Sequence, residues 1–402
     1  MKPKFLLRIK DFLGLRQSVL AMLVMAVLVG LGEKMAERFL PVYLLALGGS
    51  AIGIGLLNGM DNLLSALYSY PGGWLADRLG YKKALLCFNC LAIAGYLIVI
   101  LVPSWYAVLI GAVFFLSWSA LSLPATMELV ATVLPEHKHT MGISLHSMIR
   151  RIPMALGPVI GGYFIVKYGR IQGVRYAFVA AVIFALIALL VQQKFIQDRP
   201  LAQPLNRKKA PRPSFSPNLR NLLVSDILVR FCEQIPYAFV VVWVMNNKGM
   251  SALQFGTLTA IEMVTAMLVY IPVAYLAGRS SRKPYIAITF FNFVLFPLVL
   301  FVSNSFAALV LAFIIRGLKE FGEPTRKSLI LALAPQGSKA GTFGSYYLIR
   351  DVIVSVAAFG GAWLWKAGPA YNFLIAAGFG VLGLLFFILR VEDRTDRQEA
   401  TA

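Results

Sequence analysis

Apolar residues along the chain fall in long, uninterrupted stretches, and most charged residues lie between them. Each stretch has roughly 20 or more residues, which is enough to cross a hydrocarbon layer about 30 Å thick at about 1.5 Å per helical residue. None alternates polar and apolar positions as a membrane β-strand would. The pattern predicts twelve transmembrane helices, at 19–46, 51–74, 84–102, 105–134, 142–166, 175–196, 221–246, 252–276, 284–303, 306–334, 343–366 and 371–390.

The spans form two groups of six, separated by a stretch rich in proline and basic residues. Such a composition is typical of a flexible linker. The predicted organisation is an N-terminal six-helix bundle over residues 1–196, a cytoplasmic linker over 197–220, a C-terminal six-helix bundle over 221–390 and a cytoplasmic tail over 391–402.

The composition supports a membrane environment. Hydrophobic residues make up 59% of the 402 residues and charged residues 14%, with a mean hydropathy of +0.74, whereas a soluble domain carries about 25% charged residues. The net charge of +20 would suit nucleic acid, but Lys and Arg concentrate in the loops on one side of the spans. This asymmetry predicts a multi-pass protein of the bacterial inner (plasma) membrane with both termini in the cytoplasm, whose basic face meets acidic headgroups of the lipid bilayer and no nucleic acid.

The sequence carries no signature of a metal site, a disulfide framework or ATP binding. Its three cysteines, Cys87, Cys90 and Cys232, lie in apolar stretches, and no further Cys or His lies near Cys87 and Cys90 to complete a metal site. No GxxxxGK[ST] segment occurs. We therefore expect no metal, no cofactor and no enzymatic activity.

The two groups of spans repeat each other at an offset of about 200 residues. Asp61 of the second span corresponds to Glu262 of the eighth, and Arg151 of the fifth corresponds to Arg350 of the eleventh. Transporters are commonly built from such repeats, with the substrate site near the midplane where the repeats meet. The repeat therefore predicts two pseudo-symmetric bundles around a midplane cavity.

The segment after the second span reads Gly73, Trp74, Leu75, Ala76, Asp77, Arg78, Leu79, Gly80, Tyr81, Lys82, Lys83. It resembles the GxLaDrxGrkk signature of the major facilitator superfamily, with Tyr81 in place of a basic residue. The resemblance implies the major facilitator fold, an all-α polytopic membrane protein that works by alternating access. It also implies a cytoplasmic gate, in which Asp77 accepts hydrogen bonds from a helix N-terminus. The candidate gate residues are Gly73, Asp77, Arg78, Gly80, Lys82, Arg151, Arg350 and Asp351.

The fifth span contains Gly157, Pro158, Gly161 and Gly162, which resembles the GPxxGG end of the antiporter motif in twelve-helix drug:proton antiporters. Close helix packing is the alternative interpretation of these small residues. Members of the superfamily often carry an intramembrane arginine in the fourth span that is associated with proton coupling. No arginine lies between residues 105 and 134, and Arg316 of the repeat-related tenth span is the candidate for a similar role.

Charged residues inside the predicted spans must face the protein interior, because each costs at least about 2.5–3.5 kcal/mol at a helix centre that faces lipid. A carboxyl group among apolar residues binds a proton more readily than in water, and a nearby cation opposes this. Structural ion pairing is the alternative role for any one of them. The candidate proton-coupling acids are Glu37 and Asp61, ranked first, and Glu33, Glu233 and Glu262. The candidate substrate-binding residues and charge partners are Lys34, Arg38, Arg230, Arg316, Lys319, Glu320, Tyr43 and Tyr237.

Together these features predict a monomeric, proton-coupled secondary transporter that exports an amphipathic or charged small molecule. One alternative is a proton-linked importer of a polar or zwitterionic metabolite, which the many interior charges of both signs favour. Another is a membrane receptor or scaffold that does not transport, against which the intact repeat and the cost of the interior charges argue.

Overall fold

The apolar stretches fold as helices throughout. The structure is a computed structural model that describes residues 17–116, 118, 122, 149–196, 215–277, 281–335 and 339–392, apart from some side chains inside these ranges, and within them no strand occurs. The helices before the predicted linker are α1 (Gln17–Glu37), α2 (Leu40–Ala46), α3 (Ala51–Leu79), α4 (Tyr81–Leu101), α5 (Trp105–Phe115), α6 (Arg151–Tyr168) and α7 (Arg170–Phe195).

The helices after the predicted linker are α8 (Pro217–Tyr237), α9 (Phe239–Val242), a π-helical turn (Trp243–Asn247), α10 (Ala252–Ala277), α11 (Lys283–Val302), α12 (Phe306–Leu318), α13 (Glu323–Leu333), α14 (Lys339–Ala367) and α15 (Pro369–Arg390). Each predicted span coincides with one helix or a broken pair. The fourth and fifth spans are described only in part. The predicted all-α polytopic fold is confirmed.

Six helices in the described ranges are long and apolar enough to cross a membrane by length and composition, and the bent pair Pro217–Tyr237 and Phe239–Asn247 would make a seventh. Their outward side chains are apolar: Leu190, Leu268 and Leu389 are 70% exposed or more. A soluble protein would not leave so many large aliphatic side chains in water, so this surface suits lipid.

Two predicted spans are broken near their middles, at the places where their charges cluster. In the first span α1 ends at Glu37, and α2 begins after a turn with Pro41 in its first turn. In the tenth span α12 ends at Leu318, and α13 begins after a turn with Pro324 in its first turn. Proline lacks the backbone N–H that an unbroken helix needs, which accounts for both restarts.

The chain divides into two compact units. The first unit comprises residues 1–49, 64–206 and 251–257, and the second comprises 50–63, 207–250 and 258–402. In the first unit α1 packs on α6 and α7, and α4 packs on α5 and α7. In the second unit α8 packs on α11, α14 and α15. The central position of α8 puts its polar residues within reach of the other helices of its unit.

Candidate functional site

In the first unit, the charged residues of the first span pair with one another within a single helix. The Lys34 ammonium lies 3.0 Å from Glu33 Oε1 and also pairs with Glu37 Oε2. Glu33 is 3% exposed, and its second carboxylate oxygen has no hydrogen-bond partner among the described residues. One lysine therefore serves two buried acids, and Glu33 is the less completely paired of the two.

Four other predicted residues lie on separate elements. Arg38 lies in the turn between α1 and α2, and Arg151 is the first residue of α6. Tyr43 in α2 is fully buried, and its hydroxyl has no partner in the described part of the chain. Asp61 is partly buried in the portion of α3 that belongs to the second unit.

The start of α3 is fixed to α8 by two asparagines that flank Asp61. The side-chain amide of Asn58 donates to the carbonyl oxygen of Gln234 at 3.1 Å, and that of Asn62 donates to Gln234 Oε1 at 3.2 Å. Asp61 therefore lies on a helix segment that the second unit holds in place.

The second unit contains a continuous set of ion pairs, which we call the ion network. Its members come from α8, α10, α12, α13, α14 and the turn after α12, and they are Asp226, Arg230, Glu233, Glu262, Arg316, Lys319, Glu323, Arg326 and Arg350. The network crosslinks helices that are far apart in the sequence.

Glu233 is paired through both of its carboxylate oxygens. Its Oε2 lies 2.6 Å from Arg230 Nη1, and its Oε1 lies 2.6 Å from Lys319 Nζ. Both carboxylate oxygens are thus engaged in charge-assisted hydrogen bonds, which are shorter and stronger than neutral ones. Glu233 therefore joins α8 to Lys319 in the turn after α12.

Glu262 is buried more deeply but paired more loosely. Its side chain is 1% exposed, and its Oε1 lies 3.4 Å from Arg316 Nε and 3.7 Å from Lys319 Nζ. Its Oε2 has no hydrogen-bond partner among the described residues. The close approach of α12 to α10 depends on Gly317, because an added Cβ there would lie 2.6 Å from both the Glu262 carbonyl oxygen and Thr265 Cβ.

A small pocket with a cavity volume of about 10 Å³, enough for about one water molecule, lies beside these ion pairs, wholly within the second unit. Its lining residues are Glu233, Tyr237, Val240, Asn292, Phe293, Phe296, Arg316 and Lys319. The Arg316 guanidinium carbon lies 5.0 Å from the ring centre of Phe296 and 5.5 Å from that of Tyr237. These distances are those of cation–π contacts. The pocket, which we call the Arg316 pocket, combines charged groups with aromatic walls.

At the other end of the ion network, Asp226 gathers several donors. It is 1% exposed and pairs with Arg326, also 1% exposed, while Arg350 Nη1 lies 3.4 Å and the Tyr346 hydroxyl 3.2 Å from its Oδ2. Arg350 also binds Asp351 Oδ1 at 2.7 Å. The predicted gate residue Arg350 therefore contacts both Asp351 and Asp226, a buried acid that the sequence interpretation did not include.

The signature segment after the second span is described only in part. Gly73 and Asp77 lie in α3, but the side chain of Asp77 falls outside the described residues, so its predicted role stays a prediction. Arg78 is exposed and lies over the Trp74 ring at 4.3 Å. Gly80 has a φ of +80° between α3 and α4, a conformation that favours glycine. The Lys82 ammonium donates to the carbonyl oxygen of Gln193 at 3.0 Å.

The small residues of the fifth span lie where α6 approaches other elements of the first unit. A Cβ added at Gly157 would lie 2.7 Å from Lys34 Cβ, and one at Gly162 would lie 2.5 Å from the Ala252 carbonyl oxygen. Gly161 faces the backbone of Met35, and Pro158 faces that of Gly256. Larger side chains would force these backbones apart, so the packing interpretation has a geometric basis.

Several polar residues in these clusters escaped the sequence interpretation. The signal for Asp226 was available, since positions 226, 230 and 233 lie on one face of a helix. Asn89 gave no such signal. It is fully buried and bonds the Gln192 and Trp118 side chains, each at 2.8 Å. Asn292 of the Arg316 pocket is likewise a single polar residue in an apolar stretch.

Comparison with known proteins identifies the family to which the chain belongs. The model of the Major Facilitator Superfamily matches residues 22–232 and 222–402, which together cover most of the chain. The chain is 25% identical over 386 residues to an uncharacterized MFS-type transporter, YqjV of Bacillus subtilis (strain 168), and the match covers 89% of each protein. It is 32% identical over 137 residues to the quinolone resistance protein NorA of Staphylococcus aureus (strain MRSA252), which is 34% of this chain and 35% of NorA.

A solved structure shows the same architecture. A mutant of the nucleoside transporter NupG superposes with a TM-score of 0.78 at 12% sequence identity, over 93% of this chain and all of that one. At this identity the likeness concerns the fold alone. Taken with the family match and the apolar helices, it establishes that the chain belongs to the Major Facilitator Superfamily and is a multi-pass membrane transporter rather than an enzyme.

Proposed function

We propose that the protein is a proton-coupled transporter of a charged or amphipathic small molecule, and that Glu262 carries the coupled proton. The observation that carries this proposal is the state of Glu262: an acid 1% exposed, held by two long ion pairs, with one carboxylate oxygen that has no partner among the described residues. An acid that is buried but weakly paired can gain and lose a proton during a transport cycle.

The surroundings of Glu262 support this choice over its neighbours. The charged groups that face it in the described part of the chain are Arg316 and Lys319, and Glu233 lies on the far side of Lys319. Protonation of Glu262 would release Arg316 and leave Lys319 bound to Glu233. Protonation of Glu233 would instead break two hydrogen bonds of 2.6 Å.

In the first unit we propose Glu33 as the counterpart of Glu262. The sequence-based ranking placed Glu37 and Asp61 first. Lys34 pairs with both Glu33 and Glu37, but the pairing supports Glu33, because its Oε2 is buried without a partner in the described chain. Asp61 keeps its predicted role as a proposal, supported by its repeat relation to Glu262.

Export is the direction that we propose first. It is supported by the partial likeness to NorA, a quinolone resistance protein, and by the close packing around Gly157 and Gly162 in the segment that resembles the antiporter motif. The proposed location is a bacterial inner membrane with both termini in the cytoplasm, in keeping with the distribution of Lys and Arg.

Proton-linked uptake is the second candidate, and a specific observation favours it. Arg316 is paired with Glu262, so a substrate anion that binds Arg316 would displace the acid, and the displaced acid would bind a proton. Substrate and proton would then move in the same direction. Exchange requires the reverse relation, in which substrate and proton compete for one group.

One experiment tests proton coupling and separates the two directions. The purified protein is reconstituted into liposomes that contain a trapped pH-sensitive dye, with the membrane voltage clamped by potassium and valinomycin. Norfloxacin, ethidium, phenylacetate and glycine are then added outside in turn. Exchange with protons makes the lumen alkaline, whereas joint movement makes it acidic.

The controls are protein-free liposomes and the Glu262→Gln variant. We expect at least one compound to change the lumen pH with the parent protein, and the response to be lost in Glu262→Gln while counterflow of the same compound persists. A full pH response in Glu262→Gln would remove Glu262 from the proton role and direct attention to Glu33 and Asp61. No pH response to any compound that the parent protein demonstrably exchanges would contradict proton coupling.

A further inference from the structure

The Arg316 side chain is a buried cation whose hydrogen-bond donors are largely unused. It is 4% exposed, and its ion pair with Glu262 runs through Nε at 3.4 Å. Its guanidinium forms no hydrogen bond with any residue that the structure describes, although arginine offers five N–H donors in a planar fork. A buried charged donor without an acceptor is costly, and a ligand with a suitable acceptor would relieve that cost.

The charged residues around the Arg316 pocket determine the sign of the charge that a ligand must carry. Of the charged residues that line it, Arg316 and Lys319 are cations and Glu233 is an acid. Both oxygens of Glu233 are already bound, one by Arg230 and one by Lys319. The counter-charge of Arg316 is Glu262, which it meets only through Nε at 3.4 Å. Once Glu262 is protonated, the pocket is complementary to a single negative charge.

The walls of the pocket indicate the chemical character of the uncharged part of the ligand. Tyr237, Phe293, Phe296 and Val240 supply apolar surface, and Asn292 adds one side-chain amide. Aromatic walls bind planar apolar groups well, and a few polar groups fix their orientation. The guanidinium fork matches the two oxygens of a carboxylate, which a lysine in the same place would not do.

We propose that the Arg316 pocket opens to bind an organic carboxylate with an aromatic or otherwise apolar body, with Arg316 as the residue that recognises the carboxylate. This inference names the substrate class at the site of the proposed function and rests on proton coupling through Glu262, in the uptake form of that proposal, because the anion and the proton are bound together. The carboxylate takes the place of Glu262 at Arg316. Binding is therefore tighter when Glu262 is protonated, with Arg316 and Lys319 from the α12 side and Glu233 from α8 as the neighbouring charges.

Thermal unfolding with a buried thiol as the reporter provides the test. Cys87 and Cys90 are exposed and Cys232 is buried, so a C87S/C90S background leaves Cys232 as the only cysteine of the chain, and a thiol-reactive dye reports its exposure on unfolding. The probes are benzoate, phenylacetate and 1-naphthoate, each beside its amide and its matching primary amine. A ligand that binds only the folded protein raises the melting temperature.

We expect at least one carboxylate to raise the melting temperature more than its amide and its amine do, and to bind more tightly as pH falls. In Arg316→Gln the apparent affinity for that carboxylate falls at least about tenfold, as the loss of a charge-assisted contact implies. Arg316→Lys keeps the positive charge but lacks the planar guanidinium, so its affinity for the carboxylate lies between those of the parent protein and Arg316→Gln. In Glu262→Gln the affinity rises and loses its pH dependence. Arg220→Gln, which removes an exposed arginine of α8, leaves the affinity unchanged.

Carboxylates that stabilise no more than their amides, or a stabilisation that survives Arg316→Gln, would overturn the inference. The liposome experiment keeps the two proposals distinguishable. A lumen pH response to amines alone, with all carboxylates inactive, would overturn the carboxylate pocket and leave proton coupling in place. Carboxylate binding that depends on Arg316, without any pH response to an exchanged carboxylate, would support the carboxylate pocket and contradict proton coupling.

Discussion

The charges of the first span and those of the ion network use the same residue types in different ways. In the first span Glu33, Lys34 and Glu37 come from α1 alone, and their ion pairs join neighbours on one helix. In the second unit the ion pairs join α8, α10, α12, α13 and α14. A change of charge in the first set leaves its helix contacts standing, whereas a change in the second set releases one helix from another.

This difference bears on how a proton can move a protein. A protonated Glu33 weakens its pairing with Lys34 within α1 and its attraction to Arg150 next to α6. A protonated Glu262 weakens a link between α10 and α12, which is held by Arg316 and Lys319. If coupling requires helices to shift, protonation in the second unit can loosen one helix from another. Protonation in the first unit changes mainly the local charge.

The largest effect is expected where the ion network is most deeply buried. Asp226→Asn removes the buried acid that Arg326 and Arg350 share and leaves these two buried guanidinium groups with only Glu323 and Asp351 as counter-charges. Breaking a buried pair in this way costs about 3–5 kcal/mol of folding free energy. The measurement is thermal unfolding in detergent, followed by the exposure of Cys232.

Its matched control is Asp351→Asn. Asp351 pairs with Arg350 next to it and has a side chain that is 31% exposed, so the expected loss is at most about 1 kcal/mol. Equal losses in the two variants would mean that the buried network contributes no more to stability than a partly exposed pair.

An intermediate effect tests the comparison itself, through two double-mutant cycles. Lys319 and Glu233 lie on different helical segments and are 2.6 Å apart, so their coupling free energy should be about 1.5–3 kcal/mol. Lys34 and Glu37 lie three residues apart on one helix, where pairs contribute less, about 1 kcal/mol or below. The single and double Gln variants of each pair supply the values. A larger coupling in the first span than in the network would reverse the comparison.

The smallest effect concerns the backbone that brings Arg316 to Glu262. In Gly317→Ala the new methyl group would press on Thr265 and on the Glu262 carbonyl, which should cost about 1–3 kcal/mol and weaken the lumen pH response. Gly378→Ala is the control, since nothing lies within 4 Å of an added Cβ there, and alanine in an open helical position stabilises by up to about 1 kcal/mol. If the two variants had the same stability and the same lumen pH response, the spacing of α10 and α12 would not control the ion pair between Arg316 and Glu262.

The sequence predicted the helices better than the partners of the charged residues, because helices depend on local sequence and ion pairs depend on packing. The spans were predictable because apolar length is a local property, and the breaks in the first and tenth spans coincide with Pro41 and Pro324. The partners of a charge are not local. The sequence marks Glu233 and Glu262 equally, and the packing of α8, α10 and α12 decides that one is paired twice and the other loosely. The ranking of Glu37 above Glu33 also rested on local information and stays a prediction.

The broken tenth span has a further consequence, for how the protein is made. Its halves have 13 and 11 residues, or about 20 Å and about 17 Å of helix, so neither crosses a bilayer core of about 30 Å alone. Its cations, Lys319 and Arg326, also oppose insertion. The acids that receive them, Glu233 and Asp226, lie on α8 and are synthesised earlier. The order of synthesis thus places the counter-charges in the membrane first, and the tenth span enters as the partner of a helix that is already there.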